Sequence, residues 1–181
     1  KQSRGCAFRA PPYLCAMTNL TDPLTLRSGA VLKNRFALAP LTNTQSPDRG
    51  VLSEDEFRWL TMRAEGGFGL TMTCAAAVSE AGAGFPGQLG VYADAHDGGL
   101  ARLAAAIKAQ GSLAIAQLHD GGPRRLADPV APSVDEKLGA RALSLAEIEA
   151  ARDSYIAAAQ RAEKAGFDGV ELHGAHGYLI C

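Results

Sequence analysis

The sequence predicts an α/β protein in which parallel strands alternate with helices. The main observation is a pattern that occurs three times: a helical segment, a glycine (Gly66, Gly111 or Gly166) and then a short apolar run. Apolar strands that alternate with helices are typical of parallel βα units. A further apolar run before the first helix gives four strands. Four such strands can be half of a (β/α)8 barrel or part of a doubly wound sheet. A whole barrel needs about 250 residues, so these 181 residues could hold only half of one.

The first segment predicts a β-hairpin followed by a buried strand. Short apolar runs at 24–26 and 31–33 flank the glycine-containing turn 27–30, an arrangement that favours two antiparallel strands. The next apolar run, 36–39, ends at Pro40. Because proline cannot donate a ladder hydrogen bond, we expect the strand to end there.

The first helix is predicted from its start signal. Ser53 and Glu56 are spaced as the N-cap and the third helical residue of a capping box, in which each side chain bonds the other residue's backbone N–H. We expect the helix to run to Glu65, with Gly66 as the left-handed residue just past its end.

Two more strands and a second helix occupy the middle of the chain. Apolar runs at 70–77 and 113–118 predict the strands, and residues 97–110 favour a helix that Gly111 ends. A G-x-G-x-x-G match at 82–87 is a weak indication of a dinucleotide loop, because no helix begins directly after it.

A long loop at 119–143 precedes the last helix, which repeats the same start signal. Ser144 and Glu147 form the second predicted capping box. Gly166 is expected to end the helix, and the apolar run 169–172 predicts the fourth parallel strand. The helix carries an apolar stripe at helical spacing, formed by Ile148, Ala151, Tyr155, Ala159 and Ala162.

Composition and charge restrict the classes of partner. With 47% hydrophobic and 20% charged residues, the chain is typical of a globular protein. A net charge of −1 lacks the basic excess expected of a protein that binds nucleic acid or an anionic membrane. No apolar run approaches the roughly 18 residues needed to cross a bilayer. Four cysteines without a C-x-x-C pair indicate a reduced, cytoplasmic protein without a metal cluster.

The two ends of the chain lead to expectations about its extent. Residues 1–16 show neither helical nor strand periodicity, and prolines and arginines interrupt any signal-peptide core. Met17 opens a more regular segment, so we interpret residues 1–16 as a non-native or disordered leader. The chain stops at Cys181, directly after its main polar motif. We therefore expect residues 17–181 to be the N-terminal half of a single domain, truncated at the C-terminus and inactive by itself.

The candidate chemistry lies directly after the fourth predicted strand. His173, His176 and Tyr178 fall within six residues, so two imidazoles and a phenol could converge on one small ligand. Active sites of (β/α)8 barrels lie at the C-terminal ends of the strands, which is where this motif is expected. The two histidines could instead be a metal pair or a structural pair bonded to backbone, but two ligands alone make a thin metal site.

Several stretches resemble one known family, the old yellow enzymes, which are FMN-dependent ene reductases with a TIM-barrel fold. Residues 165–179 are nearly the family signature, and residues 32–42 and 115–119 resemble its first and third barrel strands. The resemblance covers roughly residues 24–181. It implies the N-terminal portion of a (β/α)8 TIM barrel, with about four βα units after an N-terminal β-hairpin and an FMN site.

The resemblance also implies which residues contact the flavin. The family pattern places Thr42 near N5 of the isoalloxazine ring and Ala75 at its pyrimidine edge. Gln117 falls on the position that hydrogen-bonds that edge. The other contacts implied at the end of the first strand are Ala39, Pro40 and Leu41.

For the substrate, the resemblance implies an α,β-unsaturated carbonyl compound. His173 and His176 fall on the positions that hydrogen-bond its carbonyl oxygen, and Tyr178 falls on the position of the general acid. The implied cofactors are FMN and, as reductant, NADH or NADPH, with no metal. The implied partners are this small molecule and, at full length, further copies of the chain in a homo-oligomer.

One departure from the family pattern concerns the loop after the third strand. After the third strand the family usually has a histidine, two small residues and then an arginine. In this sequence Pro123 directly precedes Arg124, which puts any role for Arg124 in doubt. We interpret Cys74, His96 and His119 as structural residues.

Two other functions stay open at this stage. A lyase or isomerase with the same fold could use the histidines as acid and base without a flavin. A non-functional truncated fragment is the second alternative. A yellow colour on purification would distinguish a flavoprotein from the first.

Overall fold

The computed structural model describes residues 19–181 of the chain. The predictions of a leader over 1–16 and of a start at Met17 therefore concern residues outside the described range. Among the described residues, no helix is both long enough and apolar enough to cross a membrane. The elements are β1 (Leu24–Thr25), β2 (Val31–Leu32), β3 (Ala37–Leu38), α1 (Glu54–Glu65), β4 (Leu70–Ala77), α2 (Asp97–Ala109), β5 (Leu113–His119), β6 (Val130–Ala131), β7 (Arg141–Ala142), α3 (Leu145–Lys164) and β8 (Gly169–Leu172).

A four-stranded parallel sheet in the order β3–β4–β5–β8 organises the fold. Helices α1, α2 and α3 connect successive strands, as the repeated sequence pattern predicts. The hairpin β1–β2 is a separate antiparallel pair in which Leu24 lies opposite Leu32. The predicted α/β fold, its parallel strands and its N-terminal hairpin are confirmed.

The helices cover one face of this sheet and form the hydrophobic core there. Six of the side chains at this interface are at most 1% exposed: Leu60, Leu100, Leu103, Ile107, Ala116 and Leu118. Burial of a large aliphatic side chain stabilises a fold by about 1.5–3 kcal/mol. Because side chains alternate along a strand, Ala75 of β4 and Gln117 of β5 point to the opposite face.

The two helix starts use their acidic third residue differently. At α3, Glu147 N donates to Ser144 Oγ, and Ser144 N donates to Glu147 Oε2 at 2.8 Å, so the predicted capping box is confirmed. At α1, Ser53 Oγ accepts from Glu56 N at 3.1 Å, but the Glu56 carboxylate is fully buried and bonds other segments. The prediction of a reciprocal box at α1 is therefore wrong.

Two further sequence predictions need correction. At the end of α1, Gly66 is right-handed with φ −65°, and it is Gly67 that adopts φ +107°. The left-handed glycine thus lies one residue later than predicted. Along α3 the predicted stripe is only partly buried, because Ile148 is 44% exposed and the core contacts begin at Tyr155.

The long loop between β5 and α3 contains structure that the sequence did not predict. It includes a short 3-10 turn at Gly122–Arg124 and the parallel pair β6–β7. At its start, Asp120 is 2% exposed and forms a bidentate ion pair with Arg125, whose Nε and Nη2 donate at 2.9 and 2.7 Å. This buried pair fixes the turn against the end of β5.

Candidate functional site

One cleft opens at the C-terminal ends of the parallel strands, with a volume of about 340 Å³. This size is typical of small-molecule sites. The lining residues are Ala39, Pro40, Thr42, Ala75, Phe85, Gln117, Glu171, His173, Gly174, Ala175, His176 and Tyr178. All the residues predicted to contact cofactor or substrate therefore lie together except Leu41, which is 53% exposed and lies outside the lining.

The floor of the cleft is a row of three side chains on adjacent strands. Ala75 of β4 pairs in register with Gln117 of β5, and Gln117 pairs with Glu171 of β8. Gln117 Nε2 donates to Glu171 Oε1 at 3.4 Å, while Glu171 Oε2 is buried without a hydrogen-bond partner. The floor thus offers one small side chain, one amide and one carboxylate oxygen free to accept a hydrogen bond.

An irregularity in β4 sets the register of this row. The pairing of β4 with β5 shifts between Met72 and Ala75. The hydroxyl of Thr73 bridges the irregularity, donating to Cys74 O at 2.7 Å and accepting from Gln117 N at 3.1 Å. The side chain therefore takes over a backbone hydrogen bond that the shifted strand cannot make, and Ala75 comes to lie opposite Gln117.

A buried carboxylate ties the ends of β3 and β4 together. Glu56 is fully buried and accepts from Asn43 Nδ2 at 3.1 Å, from Ser46 Oγ at 2.5 Å and from Cys74 Sγ at 2.8 Å. Burial, and then the charge of Glu56, raise the pKa of the Cys74 thiol well above its usual range. Asn43 follows Thr42 and Cys74 precedes Ala75, so this carboxylate links two segments that line the cleft.

The polar motif after β8 lies on one side of the cleft. His173 N continues the sheet ladder by donating to Leu118 O at 3.0 Å. Its ring centroid lies 5.1 Å from that of His176 and 5.0 Å from that of Tyr178, both edge-to-face. The two imidazoles and the phenol therefore converge, as predicted for one small ligand.

The protonation of His173 follows from its contacts. Ala175 N donates to His173 Nδ1 at 3.3 Å, so the neutral ring carries its proton on Nε2. Burial, and then the nearby His176, lower the pKa of His173. At neutral pH the ring is therefore uncharged and able to donate one N–H. Within residues 19–181, no three His, Cys, Asp or Glu side chains are placed to hold a metal ion.

His119, which the sequence indicated as structural, lies directly behind the motif. It is 1% exposed, and its ring centroid lies 4.3 Å from that of Tyr178 in an edge-to-face contact. Burial, and then His173, lower the pKa of His119 to about 4. A neutral imidazole thus packs against the phenol.

Sequence analysis did not assign three residues that lie near the cleft to the site. His119 and Glu171 lie two positions from Gln117 and His173 respectively, and the two-residue period of a strand places such pairs on one face. That signal could have found both. Phe85 comes from the glycine-rich loop before α2, where no periodicity indicates which side chain turns inward.

Residues 19–181 match the family model described as NADH:flavin oxidoreductase / NADH oxidase family. The chain belongs to this family. It is 42% identical over 170 residues to the probable NADH-dependent flavin oxidoreductase YqiG of Bacillus subtilis (strain 168), a match that covers 89% of this chain and 45% of that protein. It is 41% identical over 170 residues to an NADPH dehydrogenase of Bacillus pumilus (strain SAFR-032), covering 90% of this chain and 50% of that protein.

Solved structures of this flavin oxidoreductase family show that the chain has the family's fold. The chain superimposes on the old yellow enzyme homologue from Zymomonas mobilis with a TM-score of 0.80 and 34% identity, covering 90% of this chain and 50% of that one. The resemblance to old yellow enzymes and the predicted N-terminal portion of a TIM barrel are confirmed. The chain spans half or less of the length of the curated relatives it matches.

The cleft fits the flavin that the flavin oxidoreductase family uses. The pyrimidine ring of FMN has an edge of alternating carbonyl and N–H groups. The Gln117 amide can bond both kinds of group, and the unpartnered Glu171 Oε2 can accept from an N–H. The small side chains of Ala39 and Ala75 leave room for a planar ring beside them.

Proposed function

We propose that the protein is an FMN-dependent oxidoreductase that uses NADH or NADPH to reduce activated alkenes, such as enones. The observation that carries this proposal is the convergence of two imidazoles and a phenol beside a floor suited to a planar ring. When bound, FMN supplies the hydride chemistry, and the protein orients the reactants and polarises the substrate.

In this proposal Ala39, Pro40, Thr42, Ala75 and Gln117 hold the ring. Gln117 would bond its pyrimidine edge, and Thr42, in the segment after β3, would contact the ring. Leu41 keeps the role implied by the family resemblance only through its backbone, because its side chain lies outside the lining. None of these side chains exchanges a proton with the substrate, so their replacement should alter flavin binding or spectrum first.

The histidines hold the substrate carbonyl oxygen. His173 is uncharged and carries its proton on Nε2, which lies 3.4 Å from His176 Nδ1. This contact is long for a hydrogen bond, so a carbonyl oxygen can replace it as the acceptor. Donors aimed at that oxygen stabilise the enolate-like negative charge that develops when hydride reaches the β-carbon.

Tyr178 delivers the proton to the α-carbon as the general acid. Its ring is held between His119 and His173, with centroid distances of 4.3 and 5.0 Å. This packing fixes the direction in which the hydroxyl points. A proton donor near the polarised carbonyl completes the addition of hydride and proton across the double bond.

The test is anaerobic stopped-flow spectroscopy of the purified full-length protein after reconstitution with FMN, because residues 17–181 alone are expected to be inactive. We expect reduction of the flavin absorbance by NADH or NADPH and its reoxidation by 2-cyclohexenone. In Tyr178→Phe, reoxidation should slow by about 10²–10⁴-fold while FMN stays bound. A colourless protein that does not bind FMN but still converts a carbonyl substrate would support the flavin-independent lyase or isomerase instead.

A further inference from the structure

We propose that Arg124 is a positioning residue, which holds the backbone of the loop that carries His176 and Tyr178. This inference rests on the proposed function, since it concerns how those two side chains are oriented. Arg124 lies on the 3-10 turn after β5, 52 residues before His176 in the chain, yet its Nη1 donates to His176 O at 2.6 Å.

The loop needs such support because of its backbone conformation. His176 has φ +59° and Gly177 has φ +69°, so two consecutive residues are left-handed. This conformation is unfavourable for a residue with a Cβ atom, such as His176. A left-handed histidine persists only where contacts elsewhere favour it.

Arg124 supplies those contacts through a single nitrogen. Its Nη1 donates to His176 O at 2.6 Å and to Gly177 O at 2.9 Å. Among the described residues, these two carbonyls accept no other hydrogen bond. The guanidinium carbon also lies 5.6 Å from the centroid of the Tyr178 ring, within the range of a cation–π contact.

Arg124 is itself held rigidly by the turn it belongs to. Asp120 Oδ1 accepts from Gly122 N at 2.9 Å, and the same carboxylate pairs with Arg125. Pro123 occupies the start of the turn, where a backbone N–H has no intrahelical partner, so proline is tolerated there. The proline that departs from the family pattern therefore does not prevent Arg124 from reaching the loop that carries His176.

The turn and the loop are also in direct backbone contact. Leu179 N donates to Asp120 O at 3.2 Å, and a Cβ atom added to Gly122 would lie 2.6 Å from Leu179 N. The loop after β8 is thus held by the hydrogen bonds of Arg124 and by this close backbone approach. Because the hydrogen bonds of Arg124 to the loop go to backbone carbonyls, Arg124 acts on the chemistry through the orientation of His176 and Tyr178.

The test compares Arg124→Ala, Arg124→Lys and Arg152→Ala in the FMN-loaded protein. Arg152 is an exposed arginine on α3 that pairs with its neighbour Asp153, so its replacement is a control for loss of charge. Flavin reoxidation is followed with 2-cyclohexenone, which needs the loop, and with ferricyanide, which accepts electrons without a held carbonyl. A misplaced reacting group can cost about 10²-fold.

We expect Arg124→Ala to slow reoxidation by 2-cyclohexenone by about 10–100-fold, with FMN content and the ferricyanide rate unchanged. Added guanidinium should restore part of the rate, and Arg152→Ala should match the wild type. Arg124→Lys keeps a charged donor, so its reoxidation rate should lie between those of Arg124→Ala and the wild type. This variant provides the test if Arg124→Ala does not fold.

A wild-type rate with 2-cyclohexenone in a folded Arg124→Ala protein would overturn the inference. Equal slowing with both acceptors, or loss of FMN, would make Arg124 a general structural residue and would also overturn it. If the wild-type flavin is reduced but never reoxidised by the enone, the proposed function fails and the inference fails with it.

Discussion

Gln88 and His119 form a buried hydrogen bond in which Nε2 of the amide lies 2.9 Å from Nδ1 of the imidazole. The direction of this bond is fixed by the other contacts of Gln88. Its Nε2 also donates to Ala75 O at 2.8 Å, and its Oε1 accepts from Gly84 N at 2.8 Å. Nδ1 of His119 is therefore the acceptor, and the neutral ring carries its proton on Nε2. Protonation of His119 would place two donors against each other.

This relationship predicts that acid destabilises the protein through His119. The folded-state pKa of His119 is about 4, below its ordinary 6.5, so the unfolded chain binds the extra proton first. Its contribution is fully present above pH 6.5 and is lost as the pH falls towards 4. We expect a loss of about 2 kcal/mol from this group between pH 7 and pH 4.5.

The measurement is urea unfolding at those two pH values, for the wild type and for His119→Phe. Phenylalanine keeps a ring beside Tyr178 but cannot titrate. We expect a smaller loss of unfolding free energy on acidification in the variant. An equal loss in both proteins would mean that titratable groups other than His119 cause the pH dependence.

A second prediction concerns the buried carboxylate of Glu56. In Glu56→Gln an amide nitrogen replaces one acceptor oxygen, so it faces donors from Ser46, Asn43 or Cys74. Breaking such a buried charged network typically costs about 3 kcal/mol or more. Thermal or urea unfolding of the variant measures this loss.

The matched control is Glu54→Gln, two residues earlier in the same helix. The Glu54 side chain is 77% exposed and pairs with Arg102 on the surface. Exposed ion pairs contribute at most about 1 kcal/mol, so this change should be nearly neutral. A similar loss in the two variants would show that helix charge, rather than the buried network, is responsible.

The limits of sequence reasoning can be seen at the same residue. Ser53 and Ser144 both begin helices as predicted, because an N-cap depends on residues three positions apart. Whether the third residue then completes a capping box depends on its surroundings. The exposed Glu147 carboxylate completes the box while it also pairs with Arg141. The Glu56 carboxylate is instead buried against donors that are 10 to 18 residues away in the sequence.

The same distinction applies to the cleft. Strand ends are local features, so Ala75, Gln117 and His173 could be placed at one edge of the sheet from the sequence and the family resemblance. The pairing that brings Glu171 beside Gln117 arises from the register of β5 and β8, and the packing of His119 on Tyr178 arises from the loop after β8. The two-residue strand period places Glu171 and His119 on the cleft face, but it does not specify which side chain from another segment each one contacts.

A third prediction concerns the close approach of Gly122 to the loop after β8. In Gly122→Ala, the new Cβ would lie 2.6 Å from Leu179 N, and the residue must keep φ +56°. Backbone atoms cannot move aside cheaply, so we expect a loss of at least about 2 kcal/mol in unfolding free energy. Denaturant unfolding followed by circular dichroism measures it.

Gly139→Ala separates the two causes of that loss. Gly139 has φ +66°, but an added Cβ there meets nothing within 4 Å. Only the cost of a left-handed alanine applies, roughly 1 kcal/mol. Equal losses at the two positions would show that the contact between Gly122 and Leu179 is not tight.

The last prediction separates the two proposed carbonyl donors from the flavin contacts. Replacing either His173 or His176 with Ala removes one N–H donor from the cleft, and removal of one such donor typically slows the chemical step by about 10²–10³-fold. FMN content should persist, because the ring contacts are assigned to Thr42, Ala75 and Gln117. Reoxidation of the reduced flavin by 2-cyclohexenone in each variant is the measurement, with ferricyanide as the control acceptor. A His173→Ala protein that loses FMN but reoxidises at the wild-type rate after reconstitution would show that His173 supports the cofactor and not the substrate.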